Sequence, residues 1–204
     1  MTYVKASVRR PAGNPGNGIQ PKDQLVIYDV DDILYFPPRN EAGVVIEEDI
    51  VMKAGRYAIG IYLTPGTAEI SSNSDGETDA EGYTPSVKFN HPGNEQEIRE
   101  FKTNWLSKKC IVVLRYCSGK PADLIGTPCN PSKLSVSYTG SNESNTNELT
   151  FTQISKGDDI AIYRGTDTLE EPVAVVEAGA TDIDYQTDGQ YQLSAGAAKI
   201  AGVT

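Results

Sequence analysis

The chain carries 204 residues, with 18 basic and 28 acidic side chains and a formal net charge of −10. That length buries one sizeable core with room for a small appendage, and the acidic balance argues against a surface built to grip nucleic acid or an anionic membrane. Hydrophobic residues make up 38%, beside 19 glycines and 12 prolines, so β structure with long polar loops is expected, and no stretch is long enough to insert into a membrane.

Residues 1–23, with PAGNPGNG at their centre, read as an extended N-terminal arm. No apolar run follows the charges of MTYVKASVRR, so no signal peptide is read and cytoplasmic synthesis with reduced thiols is expected. From Gln24 the pattern turns strand-like: LVIYDV and DILYF supply β-branched and aromatic residues, and PPRN ends the run. VVIEEDIVM follows. Tyr57, Ile59, Ile61 and Leu63 then alternate with Ala58, Gly60 and Tyr62, the clearest strand signal of the chain. The polar segment 64–86 reads as a long loop or hairpin excursion from which GYTPSVKFN returns as a strand. Loops of such length are rarely idle.

After His91-Pro92-Gly93 a single helix is expected over about 94–107, with Asn94 as N-cap and Glu97 in capping-box position. Ile98, Phe101 and Trp105 share one narrow face, as in a helix that lies on a sheet and covers it. CIVVLRYC reads as a strand covered on both sides. SGKPADLIGTPCNPSK reads as turns. In LSVSY and LTFTQIS, Ser135 and Ser137, and likewise Thr150 and Thr152, fall opposite Leu134, Val136, Leu149 and Phe151, giving hydroxyl-lined faces turned to water. GDDIAIYRG closes a β domain over 24–165, and 166–204 reads as a C-terminal strand hairpin or a small appended module.

Chemistry-bearing motifs are sparse. The only histidine, His91, sits before Pro-Gly, with no nucleophile elbow to match it. Asp29, Asp31 and Asp32, like Asp158 and Asp159, read as solvated strand ends, since adjacent carboxylates on a strand point to opposite faces. SNSDGETDAEG fails as a calcium loop because Gly82 stands where a bidentate Glu is required. Asn142-Glu143-Ser144 is a glycosylation sequon that means little without an export signal. Three cysteines without CxxC make neither a disulfide framework nor a zinc site, and Cys110 and Cys117, roughly 23 Å apart along one strand, are too distant to bridge. The expectation is a protein that is not an enzyme, with no cofactor and no metal.

The order of elements carries more. An arm, strands, an acidic excursion over 64–86, one helix in NEQEIREFKTNWL, a buried strand and amphipathic strands resemble the tail tube proteins of long-tailed bacteriophages and related contractile injection systems. The resemblance covers roughly 24–165, rests on element order rather than a diagnostic motif, and lapses beyond about Thr166. It implies a mainly β fold, a β-sandwich or barrel flanked by one α-helix. It further implies rings of six copies, sheets joined into an inner barrel, and rings stacked as a tube. Ile98, Phe101 and Trp105 would then plug an open side of the sandwich, and Asp75, Glu77, Asp79 and Glu81 would belong to the loop that meets the adjacent ring. Partners implied are copies of the chain, tail sheath, baseplate and tape-measure proteins, and DNA in transit, in a virion tail made in a bacterial cytoplasm. A polar or acidic lumen, with Ser135, Ser137, Thr150 and Thr152 as candidate lining, would gain nothing from counterion release and leave DNA free to pass.

Two other readings stay open: a different virion component, such as a capsid decoration or fibre-like protein, and a carbohydrate-binding or hydrolytic β-sandwich using Trp105 with Glu69 and Asp75. Self-tubulation separates the first from a tube subunit, and polysaccharide hydrolysis would reveal the second.

Overall fold

The structure is a computed structural model that describes residues 6–169 except 14, 15, 19, 118 and 143, together with strand segments 174–176 and 191–193. The chain divides into two units, Met1–Leu169 and Glu170–Thr204.

The first unit is mainly β with one helix. Its strands are β1 (Pro21–Asp29), β2 (Ile33–Tyr35), β3 (Val45–Ile46), β4 (Val51–Met52), β5 (Ile59–Tyr62), β6 (Glu69–Asp75) and β7 (Gly82–Pro92). After helix α1 (Gln96–Trp105) come β8 (Cys110–Tyr116), β9 (Ala122–Ile125), β10 (Ser132–Gly140), β11 (Asn145–Gln153) and β12 (Ala161–Tyr163). Ten of them form one mixed sheet, while β2 and β4 pair separately. The large sheet folds back on itself where β8 and β10 touch at a single pair, Cys110 with Ser132. One layer runs β5-β1-β8-β9-β12-β3 and the other β10-β11-β7-β6, with apolar side chains between them: a β-sandwich.

Alternation along β1 and β8 builds two cores from one strand pair. Leu25, Ile27, Cys110, Val112 and Leu114 face the second layer and meet Val87, Phe89, Leu149 and Phe151. Val26, Tyr28, Ile111 and Val113 face the other way, under Ile46, Ile50, Ala58 and Tyr163. The expectation that CIVVLRYC is covered on both faces holds, because its first five residues are all buried. The same apolar run thus serves both cores.

Several local expectations shift. β1 begins at Pro21 rather than Gln24, with Pro21 opposite Tyr116 and the Cys117 amide donating to the Gln20 carbonyl; proline suits the first residue of a strand because it has no N–H to place in the ladder. The helix starts at Gln96 with Glu95 in the N-cap position and no side-chain cap. Asn94 Oδ1 instead accepts from Lys102 Nζ at 3.1 Å, so the capping box does not form. ADLI, read as turn, is β9, and its Ala122, Leu124 and Ile125 are buried. Asp29 is also buried rather than solvated: it caps the short 3-10 turn Val30–Asp32 through the Asp31 amide and pairs with Lys108. In the second unit, β13 (Ala174–Val176) and β14 (Tyr191–Leu193) pair parallel, so these two strands are not a hairpin; of the segment 166–204 expected as a hairpin or module, residues 166–169 belong to the first unit, and the rest of that expectation lies outside the described residues.

A polar tie closes the second core. Tyr28 Oη donates to Asp167 Oδ1 at 2.6 Å, and Arg115 Nε pairs with the same carboxylate while its Nη2 donates to the Gly165 carbonyl at 2.7 Å. The Arg115 guanidinium lies over the Tyr163 ring, 5.5 Å from its centroid. Burial, then the Asp167 charge, pushes the Tyr28 hydroxyl far above its ordinary range, so it stays a donor. This network holds 165–169 against the sheet, 139 residues along the chain from Tyr28. Removing Asp167 leaves the part-buried Arg115 guanidinium without its carboxylate and the Tyr28 hydroxyl without its acceptor. Asp167→Ala is therefore expected to cost about 3 kcal/mol in a urea titration. Burial, with Asp29 adding to it, raises the Cys110 thiol to about 12, whereas Cys117 and Cys129 are exposed. Ellman's reagent should accordingly titrate Cys117 and Cys129 in the native protein and Cys110 only on unfolding.

Candidate functional site

Four long strands, β10-β11-β7-β6, make the second layer, and period two sorts their residues between core and water. Leu134, Leu149, Phe151, Val87 and Phe89 turn inward, with Phe89 and Phe151 stacked at 6.5 Å. The register then sets out the opposite face in cross-strand rows. Lys133, Thr152, Ser86 and Ser71 form one row, and Ser135, Thr150, Lys88 and Glu69 the next. Ser137 faces Glu148, which faces Asn90, and Thr139 faces Thr146. The Ser71 and Ser86 hydroxyls are 2.9 Å apart, bonded across the strands.

All four residues expected to line a polar surface, Ser135, Ser137, Thr150 and Thr152, share this face, and Ser135 stands directly opposite Thr150. The face is not purely hydroxylic. Lys88 Nζ lies 3.9 Å from Glu69 Oε2 and 3.7 Å from Glu148 Oε2, and Lys133 adds a second cation. Sequence reading missed Lys88, although its signal was present: in SVKFN it alternates with the buried Val87 and Phe89, and so shares a side with Ser86 and Asn90.

Both margins of this layer are open among the described residues. β6 pairs only with β7, and β10 meets β8 at Ser132 alone, leaving its remaining outer edge without a strand partner. Exposed strand edges carry unpaired N–H and C=O groups and template further pairing unless they are managed.

The acidic excursion is an ordered hairpin rather than a loop. β6 and β7 stay in register from Glu69–Lys88 to Asp75–Gly82. Gly76 sits at φ 143, where an added Cβ would come 2.2 Å from the Ala80 carbonyl oxygen, so the turn needs glycine there. Asp75 is tied down: Lys156 at 3.1 Å, and then the Gly76 amide, hold its carboxyl below the usual range. Mutual Tyr83–Gly157 backbone bonds of 2.9 and 3.0 Å pin the base of the turn. Glu77, Asp79 and Glu81 project exposed from its tip.

Helix α1 supplies Ile98 to the sandwich core as a buried side chain, and Phe101 and Trp105 pack against that core, stacked on each other at 5.8 Å. Lys102 crosses to β11, donating to Asn147 Oδ1 at 2.7 Å, and lies 5.1 Å from the Tyr138 ring centroid. The helix thereby covers the core-facing side of the β10–β11 hairpin. The hydrolytic alternative does not assemble. Glu69 and Asp75 stand at opposite ends of β6, about 20 Å apart and beyond the reach of a two-carboxylate mechanism, and Trp105 is committed to packing.

Among the described residues no three His, Cys, Asp or Glu side chains converge as a metal site, and no helix is long and apolar enough to cross a membrane. Asp158 stands 4.0 Å from Arg39, and Asp159 accepts from the Ser72 hydroxyl.

If the two sides of this layer have different tasks, substitutions on them separate. Phe151→Ala is expected to lower unfolding free energy by about 3–5 kcal/mol, while Thr150→Ala should stay within about 0.5 kcal/mol of wild type, both read from chemical denaturation.

Compared with known proteins, the sequence matches no family, and neither a curated protein nor a solved structure matches it at a significant level.

Proposed function

We propose that the chain is a structural, self-assembling subunit of a tail tube like those of long-tailed bacteriophages, forming stacked six-membered rings around a channel for DNA. One observation carries this reading: a four-stranded layer, sealed on its inner side by core and helix, presents a polar face whose two margins are, but for the Ser132–Cys110 pair, without strand partners among the described residues. Such edges satisfy their backbone groups when a neighbouring copy supplies the next strand, and a head-to-tail contact that closes on itself makes a ring. Four strands from each of six copies, at about 4.8 Å spacing, span a circumference on the order of 115 Å and a diameter of about 37 Å before tilt. After the inward side chains, that leaves a bore wide enough for a duplex. The channel wall would be the face bearing Ser135, Ser137, Thr150 and Thr152.

Within this reading Asp75, Glu77, Asp79 and Glu81 stand at a hairpin tip able to meet the adjacent ring, and sheath, baseplate and tape-measure proteins are the outer and terminal partners. Purified protein at high concentration is expected to form rings or tubes by negative-stain electron microscopy. A strictly monomeric sedimentation profile at that concentration overturns the proposal.

A further inference from the structure

Lys88 occupies the middle of the polar face, on an inner strand, where a lone ammonium would be the natural contact for a passing phosphate. It is flanked by carboxylates on two strands: Glu69, directly opposite on β6, at 3.9 Å, and Glu148, diagonal on β11, at 3.7 Å. The three side chains are about half exposed or more. Ion pairs so open to water add little to stability, so two carboxylates on one lysine are poorly explained as a fold-stabilising device. Their effect on the field above the sheet is larger. The triplet carries a net −1; the other charged residues on this side are Lys133 and, further along β6 opposite Gly82, Asp75, so the face carries two cations against three anions. Screening over about 8 Å at physiological salt makes this local balance, rather than the charge of the whole chain, what a polyanion meets at the surface.

We infer that Glu69 and Glu148 are specificity-determining residues that cancel Lys88 and keep the sheet face from retaining polyanionic cargo. The inference rests on the channel reading of this face. It assigns opposite consequences to residues of similar exposure: losing the carboxylates creates adhesion, and losing Lys88 does not. The hydroxyls around them remain neutral donors and acceptors, which a hydrated duplex exchanges for water with no counterion gain.

The test is a gain of function. Full-length wild type, E69Q/E148Q and K88Q/E69Q/E148Q, each in the assembly state in which it purifies, are titrated against a fluorescent DNA duplex at about 50 mM and 200 mM salt. Melting curves confirm that each is folded, as expected for exposed isosteric changes. E69Q/E148Q should bind about tenfold tighter than wild type at the lower salt and lose that gain at the higher, and the triple variant, one charge more positive than wild type and still carrying Lys133, should lose most of that gain. No gain in E69Q/E148Q, or a gain undiminished by removal of Lys88, overturns the inference. The outcome is independent of microscopy: absent tubes sink the channel reading and leave the binding result standing as a measurement of this face, while tubes without the DNA gain sink only the role of Glu69 and Glu148.

Discussion

The antiparallel pairing of β1 with β8 is the constraint on which the rest of the molecule depends. Leu25 through Asp29 lie against Leu114 through Cys110 in unbroken register, and nearly every side chain of the two segments is buried. Because successive residues point to opposite sides, this one pair feeds both cores, and neither layer could slip by a residue without exchanging the two sets. The β10–β11–β7–β6 layer packs on one side, while the 30–58 segment and the 163–169 strap pack on the other.

The two coverings are secured by different means. The sandwich core is almost wholly apolar, its aromatic centre being Phe89 on Phe151. The second core has short, irregular coverings, and there the chain uses directional bonds: the Tyr28–Asp167–Arg115 contacts, and Asp49 accepting from both the amide and the hydroxyl of Thr166. Irregular segments leave many backbone groups without a ladder partner, and side-chain donors and acceptors take over that task. The result is a central sheet whose long regular strands are left free to present a patterned outer surface.

That surface is economical in apolar character. The side of β10–β11–β7–β6 turned away from the core carries hydroxyls, amides and a few charges of both signs, with its apolar mass hidden by the sandwich and by α1. Its open edges invite strand pairing, and its face offers little to bind. Under the proposed function they would serve as a wall rather than a pocket, since a binding site needs concavity and convergent polar groups.

Much of this was legible in the linear chain. Alternation in LSVSY and LTFTQIS separated Ser135, Ser137, Thr150 and Thr152 from the core, and helical spacing put Ile98, Phe101 and Trp105 together, because both periodicities are local properties of backbone geometry. The continuous apolar run at Cys110–Leu114 likewise announced two-sided burial. What tertiary structure alone decided was pairing. Asn94 is a good local cap, yet its side chain goes to Lys102; Asp29 and Asp167 look like surface acids, yet each finds a cation brought from elsewhere in the chain, 79 and 52 residues away. Lys88 could be assigned a side from its neighbours, but not its two carboxylate partners, because cross-strand register is set by how whole layers pack and not by the residues next in sequence.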